Sequence, residues 1–369
     1  MLRFRSLAAW TSLALGANAL LWGIGGIAGA WSGWLDALNH FAPWAGLMAG
    51  TALGLAAVAR RPQRGWLLGL AAAGLGAQVW LIGGALLAPR AAPPAEVVTV
   101  RLLTFNAHGK DNRDYVRLLA MLEAENPDIV ALQEVYPENR RLFAHVRKRW
   151  PYMLECVDQA DCDLALFSRV PFQQSRLIRW EWRRGRIDEP NVAVLTGWLQ
   201  LRGSARFSVS AIHIPWPIPP GPQAEQLREM AIEMRAIGED PKILAGDFNA
   251  TPWGWALKRF ERASGLQRGT RGLLTFPTQE GEYRFLFPLI AIDHVFTGDG
   301  AAVLSARRAA SAGSDHFPVV AEIAVPAERV QTSAATFRDT ILPGARGGSP
   351  LGKASTASIP LSTTPQTVY

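Results

Sequence analysis

The sequence predicts an α+β protein in which three transmembrane helices precede a sandwich of two β-sheets with helices outside. Three observations lead to this fold class. Residues up to about 95 are mostly apolar, residues 96–325 alternate strand-like and helical patterns, and the remainder is rich in Ser, Thr, Ala, Pro and Gly. These zones predict a membrane domain over residues 1–92, a folded domain over 93–326 and a disordered tail over 327–369.

Three apolar stretches carry the membrane prediction, at residues 7–31, 44–59 and 66–87. The first and third reach the roughly 20 apolar residues that a bilayer requires, whereas the second is short unless flanking residues join it. Their Gly and Ala content is typical of helices that pack in lipid. A signal peptide is the alternative for the first stretch alone, and the two later stretches argue against it.

Charge placement predicts the orientation of these spans. Arg3 and Arg5 precede the first span, and Arg60, Arg61 and Arg64 lie between the second and third, whereas the loop after the first span has neither Lys nor Arg. The positive-inside rule then places the N-terminus in the cytoplasm and, after three crossings, the folded domain outside it. We therefore expect a multi-pass protein of the inner or cell membrane with an extracytoplasmic domain.

The two cysteines agree with an exported location. Cys156 and Cys162 bracket a five-residue stretch between two predicted strands, so a disulfide that closes a hairpin is one interpretation and two unrelated thiols are the other. A zinc site is disfavoured, because no second cysteine pair or nearby histidine supplies further ligands.

The net charge of +7 is not a property of the folded domain. Residues 96–325 contain 28 Lys and Arg against 28 Asp and Glu, so the basic excess lies in the membrane segment and the tail. The domain as a whole therefore lacks a basic footprint for nucleic acid. A local patch of Arg183, Arg184 and Arg186 is compatible with phosphate contact or with a solvated loop.

Within the folded domain, hydrophobic periodicity predicts eight strands and three helices. The strands cover residues 97–105, 129–132, 164–167, 191–201, 207–213, 243–245, 290–296 and 319–323, and the helices cover 113–125, 138–150 and 223–237.

Polar residues follow several of these strands. Asp247 and Asn249 come at the end of an apolar run and lie two apart, so in an extended segment both side chains point the same way. A later loop presents Asp315 and His316. Two carboxylates, an amide and an imidazole at one sheet edge suit metal-assisted cleavage of a phosphate ester. Glu134 follows another buried-strand pattern and is placed to bind a hard cation such as Mg²⁺.

Six short motifs occur in an order and spacing that resemble the endonuclease/exonuclease/phosphatase superfamily. They are Thr104-Phe105-Asn106, the 129–134 run that ends in Gln133-Glu134, Ile212-His213, Gly246-Asp247-Phe248-Asn249, Ile292-Asp293-His294-Val295 and Ser314-Asp315-His316. The chain thus resembles a membrane-anchored bacterial-type member of the deoxyribonuclease I-like group. The resemblance implies a four-layer α/β/β/α sandwich over residues 97–325.

The resemblance also implies a set of metal-binding residues. Glu134 is the main metal ligand, Asn106 supports the metal and the phosphate, and Asp315 lies near the metal. The expected cofactor is Mg²⁺ or Mn²⁺.

The catalytic roles follow from the same resemblance. Asp247 and Asn249 position water and phosphoryl oxygens, Asp293 orients His316, and His213 acts on the phosphate. The expected partner of His213 is Glu189, in an Asp-Glu-Pro-Asn element.

The substrate is predicted only as a phosphate ester, either nucleic acid or a lipid headgroup. The stretch 214–220 after His213 is unusually rich in proline, and the specificity loops of abasic-site endonucleases and inositol-phosphate phosphatases are not recognisable. Membrane attachment through the N-terminal helices is expected and no protein partner is predicted. The alternative function is a membrane-anchored binding protein that keeps the fold without catalysis.

Overall fold

A computed structural model describes residues 2–59, 61–88, 91–112, 114–157, 162–180, 192–280 and 283–328. Residues 2–328 belong to one compact unit. Glu189, the arginines at 183, 184 and 186, and nearly all of the expected disordered tail lie outside the described residues.

The N-terminal residues form a bundle of three long helices. These are α1 (Leu2–Ala28), α3 (Ala42–Val58) and α4 (Arg61–Leu87); the short helix α2 (Gly33–Asp36) and a 3₁₀ segment (Ala37–Phe41) connect α1 to α3. Three segments are long and apolar enough to cross a membrane: Arg5–Ala28, Gly33–Val58 and Pro62–Leu87. Buried alanines such as Ala19, Ala52 and Ala71 let the helices approach closely.

The connection between the first two spans differs from the sequence expectation. It was expected to be a loop, but it is helical from Gly33 onward and extends the second apolar stretch to 26 residues. The stretch that looks short in the sequence is therefore long enough to span a bilayer.

The folded domain contains fourteen strands and four helices among the described residues. The strands are β1 (Val97–Asn106), β2 (Ile129–Gln133), β3 (Tyr152–Glu155), β4 (Ala165–Ser168), β5 (Gln174–Trp180), β6 (Val192–Leu199), β7 (Phe207–His213), β8 (Lys242–Asp247), β9 (Gln267–Arg268), β10 (Gln279–Glu280), β11 (Tyr283–Arg284), β12 (Asp293–Gly298), β13 (Ala302–Arg308) and β14 (Val319–Pro326). The helices are α5 (Tyr115–Glu125), α6 (Arg140–Val146), α7 (Pro222–Ala236) and α8 (Trp255–Ser264).

Two six-stranded sheets form the middle of the domain, in the orders β13-β14-β1-β2-β4-β3 and β5-β6-β7-β8-β12-β9. Aliphatic side chains of both sheets, such as Leu102 and Val209, form the core between them. Helices α5 and α6 cover the first sheet and α7 and α8 cover the second, each through its own apolar cluster. The predicted four-layer α/β/β/α sandwich is confirmed.

Strand direction determines which residues share an edge. In the first sheet β1 and β2 are parallel, and in the second sheet β7 and β8 are parallel. Strand β12 runs antiparallel to β8, so its first residue, Asp293, lies opposite Asp247. His213 lies opposite Asp247 on the other side. The ends of four strands and the start of a fifth therefore meet at one edge of the sandwich.

The eight predicted strands are present with small shifts of their ends, but β3, β5, β13 and the two-residue strands β9, β10 and β11 were not predicted. Strands β3, β5 and β13 are sheet edges, where half-exposed residues weaken the hydrophobic signal. The helix predicted to reach Trp150 ends at Val146. The Trp150 indole turns inward and donates to the Pro127 carbonyl. Pro151 follows directly and disfavours a helical conformation at Trp150.

The helical bundle contacts the sandwich through buried polar groups. Asp36 accepts hydrogen bonds from the backbone N–H groups of Trp255 (2.7 Å) and Ala256 (2.9 Å), and so caps the N-terminus of α8 from another part of the chain. The Trp255 indole donates to the Gly26 carbonyl at the end of α1. The His40 ring bonds the Asn249 carbonyl at 3.2 Å. The bundle is thus docked on the sandwich beside the edge described above.

Candidate active site

Asn106 connects the two sheets at the shared edge. Its side-chain Nδ2 donates to Glu134 Oε1 (2.9 Å) and to Asp247 Oδ2 (3.1 Å). Asn106 and Asp247 are buried, whereas a quarter of the Glu134 side chain is exposed. The amide therefore holds two carboxylates close together, one buried and one partly exposed to solvent.

The turn after β8 is built around Asp247. The Asn249 backbone N–H donates to Asp247 Oδ1 at 2.8 Å, and the Asn249 amide donates to the Ile214 carbonyl. Asn249 has φ +46°, and Glu134 has φ +51°. Such left-handed conformations are uncommon outside glycine and concentrate at functional sites. Both side chains are thus oriented by a tight local turn.

His316 lies between two aspartates. Its Nδ1 is 2.9 Å from Asp293 Oδ2, and its Nε2 is 3.7 Å from Asp247 Oδ2. Ser314, two residues earlier, donates to the Asn106 carbonyl and accepts from the His316 N–H, which fixes the loop before β14. The predicted pairing of His316 with Asp293 is present in the structure.

Among the described residues, the carboxylate partner of His213 is Asp163. Its Nδ1 is 2.7 Å from Asp163 Oδ2, and its Nε2 points to Glu134 Oε1 (3.7 Å) and Asp247 Oδ2 (3.9 Å). Glu189, the expected partner, lies outside the described residues, and Asp163 occupies the Nδ1 side.

The sequence analysis missed Asp163, although its position carries a signal. It follows Cys162 directly and precedes strand β4 by two residues, and Cys156 and Cys162 form a disulfide. The cross-link closes the loop before β4, and the Val135 N–H bonds the Asp163 carbonyl. The disulfide therefore helps to place a carboxylate in the site.

The carboxylates keep both imidazoles charged. Burial by itself lowers the pKa of His213, but attraction to Asp163 with help from Asp247 and Glu134 raises it to about 10. Burial likewise opposes the charge of His316, and Asp293 and Asp247 raise its pKa to about 10. Two imidazolium groups therefore face Asp247 at neutral pH.

Asp247 is the carboxylate on which these groups converge. Its burial raises its pKa to about 6, and attraction to His316 and His213 limits that rise. Asp247 accepts hydrogen bonds from the Asn106 side chain and from the Asn249 backbone N–H, so its carboxylate acts as a hydrogen-bond acceptor in the site.

Asp315 lies on the same edge and contacts His108. His108 Nδ1 is 3.3 Å from Asp315 Oδ1, and its Nε2 is 3.0 Å from Asp111. Burial disfavours the Asp315 charge, but the His108 hydrogen bond and the charge of His316 keep its pKa below the ordinary value. His294, in contrast, points away from the site: it is buried against Thr270 and the Ala250 carbonyl, and burial lowers its pKa to about 3.

The donor set fits a divalent cation. Five carboxylates, on Glu134, Asp163, Asp247, Asp293 and Asp315, meet three imidazoles, on His108, His213 and His316. Even with every imidazole protonated, the group keeps an excess of two negative charges, and oxygen donors suit Mg²⁺ or Mn²⁺. Asp247, Asp293 and His316 also form a buried group whose ligand atoms lie within 4.8 Å of one another.

A four-layer sandwich with paired carboxylates, amides and carboxylate-bound imidazoles at one sheet edge is the architecture of a phosphoesterase of the deoxyribonuclease I-like class. The sequence agrees with this classification. Residues 103–316 match the model of the Endonuclease/Exonuclease/phosphatase family, and the chain belongs to that family.

Solved structures share the fold. An endonuclease/exonuclease/phosphatase from Beutenbergia cavernae is 20% identical with a TM-score of 0.50, over 62% of this chain and 72% of that chain. D. rerio TDP2 complexed with single strand DNA product is 17% identical with a TM-score of 0.50, over 61% and 98%. The mannosyl-6-phosphatase Bt3783 of Bacteroides thetaiotaomicron is 16% identical with a TM-score of 0.50, over 61% and 99%. No curated protein matches the sequence significantly.

Proposed function

We propose that the protein is a divalent-metal-dependent phosphoesterase that hydrolyses phosphate esters by attack of water on phosphorus. The observation that carries this proposal is the convergence on Asp247, which accepts from Asn106 and faces the Nε2 atoms of His213 and His316. The Asp247 carboxylate can accept a hydrogen bond from an attacking water. The imidazolium groups of His213 and His316 can donate to phosphoryl oxygens.

In this proposal Glu134 and Asn106, with Asp315, would hold Mg²⁺ or Mn²⁺. A cation held there would supply stabilisation of the negative charge that develops on the phosphoryl group. Glu134 is suited to this role because its carboxylate is the exposed member of the Asn106-bridged pair. The buried group of Asp247, Asp293 and His316 is the second candidate position.

The remaining roles belong to the protein's own side chains. Asp247 orients the water and accepts its hydrogen bond, and Asn249 binds a phosphoryl oxygen. His316, kept protonated by Asp293, and His213, kept protonated by Asp163, neutralise charge and donate a proton to the leaving oxygen. Their raised pKa values favour a cationic or acidic role over that of a general base. Glu189, which lies outside the described residues, stays a proposed member of this group, and Asp163 takes the Nδ1 contact of His213.

A catalytically inactive binding protein is the alternative function. Such a protein would not require the acids and imidazoles of the site. Glu134, Asp247, Asp293, Asp315, His213 and His316 are nevertheless all present, and each has a hydrogen bond or ion pair to a neighbouring side chain of the site. The intact set supports the enzymatic proposal.

The metal requirement is tested with the full-length protein in detergent. We expect hydrolysis of bis(p-nitrophenyl) phosphate with Mg²⁺ or Mn²⁺ and its loss in EDTA, with recovery when the metal is restored. Glu134→Gln keeps the size of the side chain and removes its charge, so it should weaken Mn²⁺ binding measured by electron paramagnetic resonance. Glu138→Gln, a change of the same kind outside the site, is the control. Activity that is unaffected by EDTA would contradict the metal role.

We also propose that the folded domain lies outside the cytoplasm. The arginine asymmetry around the candidate spans supports this orientation, and the Cys156–Cys162 disulfide agrees with an oxidising compartment. A reporter that is active only outside the cytoplasm, fused after Ala327, should be active. A silent reporter, together with an active cytoplasmic reporter at the same position, would reverse the proposed orientation.

A further inference from the structure

Two loops form an apolar wall beside the site. The loop 214–221 follows His213, and the loop 285–292 precedes Asp293. Between them, the Phe276 ring lies 4.8 Å from the His316 ring and 6.0 Å from the Trp216 ring, measured between centroids. The wall therefore continues directly from a residue of the proposed active site.

The outer part of this wall is exposed. Trp216, Ile218, Phe285, Leu286 and Phe287, together called the apolar rim, present large hydrophobic side chains to solvent; Leu286 is 98% exposed and Trp216 57%. Neither loop contains a charged residue. Several large apolar side chains exposed on two loops beside one site indicate contact with another apolar phase or partner.

The two loops that carry the apolar rim contact the start of α3 and the short helix that precedes it. The Trp44 indole, at the start of α3, donates to the Leu289 carbonyl at 3.0 Å and stacks on Phe287 with centroids 5.8 Å apart. On the other loop, Pro220 packs closely against Gly33. A Cβ added to Gly33 would lie 2.5 Å from the Cβ of Pro220. The exposed surface of the rim is thus continuous with the surface of the helices.

The position of the site relative to the helices is also fixed. Asp36 caps α8, and His40 bonds the carbonyl of Asn249 inside the proposed active site. Lys258 of α8 adds a hydrogen bond to the Leu81 carbonyl of α4. The sandwich is therefore docked on the bundle rather than suspended from it by the linker that follows α4.

We propose that the apolar rim lies in the interfacial layer of the leaflet nearest the sandwich, and that the substrate is the phosphate ester of a membrane lipid. This inference rests on the proposed phosphoesterase function. Trp and Phe side chains favour the bilayer interface. A nucleic acid would instead require cations along its backbone, and both loops lack Lys and Arg.

The reaction balances as a hydrolysis. The oxygen of water forms a bond to phosphorus, the bond from phosphorus to one ester oxygen breaks, and that oxygen takes up a proton and leaves as an alcohol. Water is the only co-reactant. One product stays in the membrane when the lipid substrate is a phosphodiester, and the other is released.

The test places the full-length protein in phosphatidylglycerol–phosphatidylethanolamine vesicles and in nanodiscs of the same lipids. Leu286→Asp should lower lipid hydrolysis about tenfold, the equivalent of about 1.4 kcal/mol, and leave hydrolysis of soluble bis(p-nitrophenyl) phosphate unchanged. Val116→Asp is the matched control. Val116 is 81% exposed on α5, which covers the first sheet, whereas α8 covers the second. Both activities should stay unchanged in this variant.

A second measurement reports how deep the apolar rim lies in the membrane, and it does not depend on enzymatic activity. The described cysteines are joined in a disulfide, so Leu286→Cys and Val116→Cys each introduce a thiol for a fluorescent probe. Spin-labelled lipids should quench the probe at 286 and not the one at 116. Equal quenching at the two positions would overturn the placement of the rim.

Substrate comparison separates the two levels of the proposal. Turnover of the soluble diester and of plasmid DNA without lipid turnover would overturn the lipid inference and leave the phosphoesterase intact. If the protein hydrolyses neither the soluble diester nor plasmid DNA nor lipid, the phosphoesterase proposal itself is rejected. Lipid turnover that is insensitive to Leu286→Asp, with equal quenching, would reject the rim as the membrane contact.

Discussion

Replacing Asp247 or His316 with alanine is expected to reduce hydrolysis of bis(p-nitrophenyl) phosphate by about a hundredfold or more, the scale on which positioned acid–base groups contribute. Asp247 is the acceptor on which Asn106, His213 and His316 converge. His316 is the cation that Asp293 holds against it. Removing either residue breaks the central pair of the site.

The loss has to be separated from unfolding, because Asp247 is buried and bonded to the Asn249 backbone. Asp247→Asn keeps the shape and part of the hydrogen bonding, so it should retain the thermal unfolding temperature better than Asp247→Ala and still lose activity. His145→Ala and Asp240→Ala change the same residue types at positions remote from the site and should keep activity. Activity within threefold of the unsubstituted protein in both Asp247→Asn and His316→Ala would remove these residues from the mechanism.

Most of the site was predictable because parallel strands end at one edge. Asn106, His213 and Asp247 each end an apolar run, and Glu134 follows one directly. The pattern of alternating strands fixes which end they share, and the structure brings all four together. Local sequence patterns therefore predicted the layers of the sandwich and the positions of Glu134 and Asp247, whereas Asn106 and His213 were expected only from the family resemblance.

Asp163 was not predictable in the same way. It precedes β4, whose pairing with β2 is antiparallel, so it reaches the shared edge from the start of a strand rather than its end. Asp293 does the same at β12, and only the resemblance to a known family drew attention to it. Contacts made by strand starts depend on sheet order, which a single sequence does not specify.

The docking of the bundle on the sandwich also escaped the sequence analysis. Asp36 and His40 lie in the segment between the first two apolar stretches, which the sequence predicts to be a loop. Their partners, the first turn of α8 and the Asn249 carbonyl, lie more than two hundred positions away in the chain. Hydrophobic periodicity reports the face of an element and not its partner in another part of the molecule.

The second large effect is expected at Gly246, which precedes Asp247 in β8. Gly246→Ala should lower the free energy of unfolding by about 4 kcal/mol or more, the range reached when steric overlap and backbone strain act together in a core. Gly246 has φ +152°, and an added Cβ would lie 1.9 Å from the Ile212 carbonyl oxygen of β7. Backbone atoms of a central strand cannot move aside as a flexible side chain does.

Thermal unfolding of the full-length protein in detergent, followed by near-ultraviolet circular dichroism, measures this effect. Gly238→Ala is the matched control, because Gly238 has φ +100° and a Cβ added to it would meet open space. Its cost should stay near the 1–2 kcal/mol of left-handed backbone strain alone. Equal destabilisation by the two substitutions would show that the contact with Ile212 is not the cause.

The same glycine has a consequence for the site. Strands β7 and β8 are parallel neighbours, with Ile212 opposite Gly246 and His213 opposite Asp247. Without a side chain at 246, β8 passes close to the Ile212 carbonyl, and the next pair along the ladder brings His213 Nε2 within 3.9 Å of Asp247 Oδ2. If the Gly246→Ala protein folds by moving β7 and β8 apart, His213 and Asp247 also separate. The activity should therefore fall as the distance between the two strands increases. Suppressor substitutions that restore stability without restoring the approach of the two strands should leave the protein folded and inactive.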